Sequence, residues 1–279
     1  MKTVTSITEM GEISRAGKAE GKRIALVPTM GFLHEGHLSL IRAARKAGDV
    51  LVVSIFVNPA QFGPAEDLDS YPRNLDRDLK LCAGEGTDIV FNPAGGDIYP
   101  EGYSTWVEET DLSRGLCGAA RPGHFRGVTT VVLKLFNIVG PNIAFFGRKD
   151  YQQFKVIEKM VRDLDLPVEI VGLPTVREPD GLAMSSRNSY LSNRERKEAL
   201  CLRRALLQAR EMLAAGETSA AAVRREMEKL IGREPDARID YLEFRDPETL
   251  KPRETLRPGD LAAGAVFINR IRLIDNLLL

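Results

Sequence analysis

Two of the three histidines in the chain, His34 and His37, stand three residues apart in the run Pro28 to His37. Imidazole N–H groups at that spacing bracket a phosphate oxygen, and Gly31 and Gly36 let backbone approach a ligand closely. A loop histidine followed by a helix-entry histidine is an equal account. A zinc pair is a poorer one, because no third ligand follows at a metal-site spacing. Asn58 and Gln61, in the turn marked by Pro59 and Gly63, offer amide donors without charge. Turn capping explains Asn58 well and Gln61 less well. The Gly- and Arg-rich run Leu116 to Gly127 reads as a loop feeding a helix, suited to an anion or to plain surface. Between Phe146 and Gln153, the Asp150/Gln153 spacing fits a capping box. Lys149 beside them is a cation near a helix N-terminus, which opposes the dipole unless an anion binds there. In Gly181 to Asn188, the hydroxyls of Ser185 and Ser186 and the guanidinium of Arg187 resemble a phosphate clamp. A serine turn with a solvated arginine is the other account. Asp76 and Asp78 offer carboxylates to Mg2+, but they read as a solvated helix face.

These residues need elements to hold them. Arg23 to Thr29 reads as a buried strand broken at Pro28 and Gly31, followed by a helix with Leu38, Ile41 and Ala44 on one face. Val50 to Val57 is a near-continuous β-branched run, the pattern of a strand buried on both faces. A helix-compatible stretch, Leu75 to Ala83, precedes a strand at Asp88 to Phe91. Val128, Val131, Val132, Leu135, Phe136 and Val139 repeat at helical spacing, and Gly140-Pro141 ends that helix. Asn142 to Gly147 is a short strand. Phe154, Ile157, Val161 and Leu164 mark another helix, stopped by Pro167 before the strand Val168 to Val171. Such alternation predicts right-handed crossovers and a doubly wound, mostly parallel α/β sheet over residues 1–175. From Val176 the texture changes to helices, Asn193 to Gly216 and Ser219 to Ile231, with strands at Ile239–Phe244 and Ala265–Arg272. These predict a smaller α+β domain over 176–279. In an open sheet, ligands sit beyond the carboxyl ends of the strands, where these clusters fall.

Lys+Arg and Asp+Glu are both 39 and the formal net charge is zero. A chain that binds a polyanion over its surface carries a basic surplus, so bulk nucleic-acid binding is disfavoured. Hydrophobic residues at 43% supply a sizeable core. Met1 to Lys22 has no apolar segment of the signal-peptide kind, and no apolar run approaches the ~18 residues that cross a bilayer. Cys82, Cys117 and Cys201 are widely spaced and odd in number, neither a disulfide framework nor a metal site. A cytoplasmic protein with free thiols is expected.

The joint order of the clusters carries a resemblance. His34 to His37 is similar to the HxGH signature of the nucleotidylyltransferase superfamily and class I aminoacyl-tRNA synthetases, and Met184 to Arg187 to their mobile KMSKS-type loop. The runs Pro28–His37, Asn58–Gly63, Arg121–Val128, Phe146–Gln153 and Met184–Asn188 together resemble the pantothenate synthetase (pantoate–β-alanine ligase) family over most of the chain. Cys117 stands where many relatives carry a larger polar residue. The resemblance implies a Rossmann-like nucleotidylyltransferase-type catalytic domain and a smaller C-terminal domain that closes over the site. It also implies an ATP-dependent ligation of (R)-pantoate and β-alanine through a pantoyl adenylate, with Mg2+ on the phosphates, in a homodimer.

By the same resemblance His34, His37, Lys149 and Arg187 are catalytic. ATP contacts fall to Met30, Gly31, Phe32, Leu33, His34, Glu35, Gly36 and His37, to Gly147, Arg148, Lys149 and Asp150, and to Val176, Met184, Ser185, Ser186 and Arg187. Gln61, Gln153 and Asn58 take pantoate and β-alanine. No protein side chain is assigned to metal. A plain nucleotidylyltransferase shares the first and last clusters but leaves Asn58, Gln61 and Gln153 together unexplained. A tRNA synthetase needs an anticodon-binding region for which this chain has little room. A nucleotide-sensing protein would be expected to have lost a histidine or lysine from the clusters.

Overall fold

The structure, a computed structural model, describes residues 1–64 and 66–279. Along the chain run β1 (Lys2–Val4), α1 (Ile7–Ala19), β2 (Ile24–Thr29), α2 (Glu35–Ala47), β3 (Val50–Ile55), α3 (Leu75–Gly84), β4 (Ile89–Phe91) and α4 (Gly95–Ile98). Then follow α5 (Leu116–Ala120), α6 (His124–Val139), β5 (Ile143–Gly147), α7 (Tyr151–Asp163) and β6 (Glu169–Leu173). The last elements are α8 (Asn193–Glu198), α9 (Leu200–Ala214), α10 (Ala220–Ile231), β7 (Ala237–Arg245), β8 (Leu261–Ile268) and β9 (Ile271–Leu278). Two compact units emerge. The first comprises Met1–Thr110, Arg121–Arg148 and Gln153–Pro174; the second comprises Asp111–Ala120, Lys149–Gln152 and Thr175–Leu279. Two short segments upstream of residue 175 therefore belong with the C-terminal unit.

The first unit is built on six strands in the order β1-β4-β3-β2-β5-β6, every neighbouring pair parallel. The β-branched run of β3 is buried almost throughout because helices cover both faces of such a sheet. On α2, Leu40, Ile41 and Ala44 pack with Val27, Val53 and Phe145. On α6, all six apolar positions of the helical repeat are buried. From β2 the chain order runs through β3 to β4 on one side, while β5 and β6 lie on the other. The reversal falls between β2 and β5, where Ala25 pairs with Ile143 and Leu26 with Ala144. Beyond the carboxyl ends of two such strands a parallel sheet has its natural ligand crevice.

Several expectations are corrected. β1 and α1 lie in the N-terminal stretch for which the sequence suggests no element; Ser6 caps α1 through Glu9 N–H. α6 begins at His124, so the expected loop is already helical over its last four residues, with Gly123 at φ +82° before it. The single helix expected over Asn193 to Gly216 divides at Ala199 into α8 and α9. The strand expected over Ala265 to Arg272 is a hairpin instead. Ile268 pairs with Ile271 across a two-residue turn, and Asn269 adopts φ +51°. Asparagine tolerates that left-handed conformation, and here an apolar run conceals a reversal.

In the second unit β7, β8 and β9 form an antiparallel sheet. Ala205, Leu206 and Ala209 of α9 and Val223, Met227 and Ile231 of α10 pack against its Val266 and Ile268. Among the described residues no helix is long and apolar enough to cross a membrane.

Candidate active site

Local sequence builds the turn after β2. Gly31 sits at φ +83° and Phe32 at φ +50°, and a Cβ on Gly31 would lie 3.0 Å from Ile55 and 3.1 Å from Asp78. Thr29 Oγ1 accepts the Gly31 N–H at 3.1 Å and donates to the Ser54 carbonyl at 2.8 Å. The turn is fastened by Asp78 of α3, whose carboxylate accepts the N–H of Phe32 at 2.7 Å and of Leu33 at 2.8 Å. Asp78 is 1% exposed, so the expected solvated face is corrected for this residue, while Asp76 is exposed. Burial pushes the Asp78 carboxyl up from its ordinary value, against the opposing pull of those two N–H groups and Arg77. No sequence signal on α3 points to this role, because both donors lie more than forty positions upstream.

The turn delivers the histidines to the N-terminus of α2, where the positive end of the helix dipole favours an anion. The His34 N–H donates to His37 Nδ1 at 3.3 Å, and the two rings lie 4.0 Å apart between centroids, inclined by 37°. With Nδ1 accepting, a neutral His37 ring carries its proton on Nε2. Glu35 differs. It is exposed and pairs with Arg42 two turns further along the same face of the helix.

Met30 leads to the amides. Gln61 Nε2 donates to Met30 Sδ at 3.1 Å, and Asn58 Nδ2 donates to Gln61 Oε1 at 3.0 Å and to the Gly127 carbonyl at 3.1 Å. Asn58 also caps the short turn Pro59–Gln61 through the Ala60 N–H. The Gln61 carbonyl is gripped by His124 Nδ1, at the start of α6, at 2.8 Å and by Arg121 Nη2, just before that helix, at 3.2 Å. Arg121 meanwhile holds Glu66 with two contacts of 2.6 Å. Burial alone would raise the Glu66 carboxyl, yet this guanidinium pulls it below its ordinary value. The run expected to offer an anion contact instead spends Arg121 on a neighbouring carboxylate and clamps the Gln61 backbone. Close packing explains Gly127: a Cβ there would stand 2.2 Å from the Ala60 carbonyl oxygen. Gly127→Ala is expected to lower stability by about 2–3 kcal/mol through overpacking. It should also displace the Gln61 turn, checked by thermal unfolding alongside substrate titration.

Gly147 ends β5 with nothing within 4 Å of its would-be Cβ, and the exposed Arg148 lies over the Phe154 ring, 5.7 Å from its centroid. A 3-10 turn, Arg148–Asp150, leads into α7, and the Asp150 carboxylate lies 3.6 Å from Lys149 Nζ. Gln153 is partly exposed.

Lys149 and Asp150 belong to the second unit, with Val176 and Met184 to Arg187. Asn276 Nδ2 donates to the Lys149 carbonyl at 2.8 Å. Val176 and Met184 are bonded across a narrow turn, Met184 N to Val176 O at 3.0 Å, in which Gly181 takes φ +93°. Arg177 anchors this turn through Asp275, at 2.7 and 2.9 Å. Ser185 Oγ accepts the Arg187 N–H at 3.3 Å, starting the 3-10 turn Ser186–Tyr190, with Ser186 buried. Lys149, Ser185 and Asn188 line one small pocket with Arg203 and Asp275. Sequence reading missed Asp78, Arg177, Asp275 and Asn276, which carry no motif and act on distant backbone or charge. Cys117, elsewhere in this unit, is no vacancy for a larger side chain: its Sγ lies 3.2 Å from Tyr241 Oη and within 3.8 Å of both Arg272 Nη atoms.

The parallel sheet with its reversal between β2 and β5, and a histidine pair on the helix that follows β2, define a Rossmann-like domain of the nucleotidylyltransferase type. The family model described as pantoate-beta-alanine ligase matches residues 2–278, and the chain belongs to that family. It is 56% identical to the pantothenate synthetase of Thermosipho melanesiensis over 278 residues, covering 100% of this chain and 99% of the relative. A crystal structure of pantothenate synthetase from Thermus thermophilus superposes with a TM-score of 0.93 at 47% identity, covering 100% and 99% of the two chains. The pantoate-beta-alanine ligase of Francisella tularensis, complexed with beta-gamma ATP and beta-alanine, gives 0.81 at 35% identity, covering 100% of this chain and 97% of that one.

Proposed function

We propose that the chain joins (R)-pantoate to β-alanine at the expense of ATP, through pantoyl adenylate. The observation that carries this reading is likeness along the whole chain to pantoate-beta-alanine ligases, one of them a complex with beta-gamma ATP and beta-alanine. A carboxylate acylates an amine too slowly without a good leaving group, so activation comes first. A pantoate carboxylate oxygen attacks the α-phosphorus as the bond to pyrophosphate breaks. The amine of β-alanine then attacks the acyl carbon, a proton is lost from nitrogen, and AMP leaves. Phosphoryl transfer of this kind depends on positioning and charge stabilisation. His34 and His37 supply donors at the α2 N-terminus, and Lys149, Ser185, Ser186 and Arg187 supply charge and hydroxyls to the phosphates. Met30 to Gly36, Gly147 to Asp150, Val176 and Met184 complete the nucleotide contacts.

Gln61 and Gln153 are neutral, which suits an acid whose carboxylate must stay nucleophilic; Asn58, buried with its amide engaged by Gln61, Gly127, Ala60 and Tyr99, holds Gln61 in place behind them. Mg2+ would neutralise phosphate charge while held mainly by the nucleotide and water, as a hard ion that keeps several waters does. Three buried free cysteines support a reducing, cytoplasmic setting. Assembly as a homodimer rests on the family resemblance and is checked by sedimentation.

Mass spectrometry of the protein with ATP, Mg2+ and pantoate, with and without β-alanine, tests the reaction. Pantoyl adenylate without the amine and pantothenate with it are expected; unchanged ATP in both tubes would overturn the proposal. Gln61→Ala and Gln153→Ala are each expected to weaken pantoate binding about tenfold, the loss of roughly one hydrogen bond, with ATP affinity retained. Calorimetry with each ligand reads both quantities. A Gln153 that serves only as a helix cap would instead cost about 0.5–2 kcal/mol of stability, with both affinities unmoved.

A further inference from the structure

The polar chain around Gln61 extends one residue further than the reaction requires, to Tyr99 just beyond α4. Its Oη donates to Asn58 Oδ1 at 2.9 Å. An amide side chain has two nearly isosteric orientations, and its partners decide between them. Asn58 leaves no choice. The Gly127 carbonyl can only accept, so it faces Nδ2, and the Ala60 N–H can only donate, so it faces Oδ1 at 3.3 Å. The Tyr99 hydroxyl joins Ala60 on the oxygen. With Nδ2 thus turned toward Gln61, Gln61 must present Oε1 to it, and its Nε2 is directed to Met30 as a donor. Met30 sulfur is a weak acceptor, so that N–H is readily given to a ligand oxygen.

Tyr99 is well placed to hold this orientation. Its ring stacks on Trp106 at 5.9 Å and meets Tyr103 edge-on at 5.1 Å, with Lys134 Nζ 4.5 Å from the Tyr103 centroid. Burial, followed by the neighbouring Tyr103, pushes its phenol above the ordinary value, so it remains an O–H donor at all working pH values. We propose that Tyr99 is a positioning residue for the hydroxy acid, acting through Asn58 to fix Gln61 as a hydrogen-bond donor. This rests on the assignment of Gln61 to pantoate given above.

Steady-state kinetics of Tyr99→Phe, Asn58→Ala, Gln61→Ala and the double variant Tyr99→Phe/Asn58→Ala test it. Tyr99→Phe should raise the KM for pantoate about threefold to tenfold, the range for one neutral hydrogen bond, and leave the KM for ATP unchanged. In the double variant the Tyr99 change should add nothing to the loss from Asn58→Ala, because its only route has gone. A packing role would instead lower the unfolding temperature with both KM values unmoved, or raise both together, and either result overturns the proposal. So does full additivity in the double variant. If Gln61→Ala itself leaves the pantoate KM unchanged, the assignment of Gln61 fails. If Gln61→Ala raises it while Tyr99→Phe does not, the relay alone fails.

Discussion

Replacing His37 by alanine is expected to slow adenylate formation by about 10²–10³-fold, the scale for one preorganised transition-state donor. The ring accepts the His34 N–H on Nδ1, so a neutral imidazole carries its proton on Nε2 as a donor. Charge grows on the α-phosphate oxygens as pantoate attacks, and a donor already in place needs no reorganisation at that moment. Single-turnover formation of pantoyl adenylate is the measurement, and an unchanged rate would remove His37 from the phosphate contacts. The substitution also takes away the acceptor for the His34 N–H, a capping loss of about 0.5–2 kcal/mol. His37→Asn separates the two effects. Its side-chain oxygen still accepts that N–H but supplies nothing at the Nε2 position, so stability should recover while adenylation stays slow.

The other large effect is structural in origin. Asp78→Ala is expected to lower stability by roughly 3–5 kcal/mol, because two N–H groups that met a carboxylate are left in a buried turn without acceptors. Their bonds of 2.7 and 2.8 Å are short, as charge-assisted bonds are, and Asp78 is almost fully enclosed. Phe32 is held at φ +50° beside them. Such strain persists only where surroundings over-determine it. Its release should move His34 and His37, so ATP affinity is expected to fall along with the denaturant midpoint. Asp78→Asn retains one acceptor oxygen but brings an NH2 group toward the second N–H, and an intermediate loss is expected. Equilibrium denaturation with nucleotide titration gives both readings. A stable Asp78→Ala protein with normal ATP affinity would show that the turn stands without its carboxylate.

The histidine site was legible because its signals are local. Strand, glycine turn, histidine pair and helix follow one another between Ile24 and Ala47, although α2 starts at Glu35, inside the run read as preceding the helix. The parallel sheet was equally legible from buried β-branched runs separated by helical repeats. Gln61 and Gln153 could be read as uncharged amides suited to an acid, and Lys149 as a cation that no cap explains. Where the periodicity is local but its interruption is not marked, reading fails. Asn269 and Arg270 turn the chain inside an apolar stretch, and α8 and α9 separate at an unremarkable alanine.

The orientation of the amides and the fastening of the turn were decided by tertiary structure alone. Asn58 meets Gly127 across 69 positions and Tyr99 across 41, and these partners determine which end of Gln61 faces Met30. Asp78 looked like one more acidic residue in the first turn of a solvated helix until Phe32 and Leu33 brought their N–H groups to it. Arg121 looked available to an anion until Glu66 occupied it. Cys117 stood out only as a departure from many relatives until the structure set Tyr241 and Arg272, more than a hundred residues away, around its sulfur. Helix periodicity, glycine dihedrals and caps act over a few residues, so the sequence displays them directly. Whether a polar group is buried, and which partner satisfies it, depends on backbone brought together by packing across the whole chain.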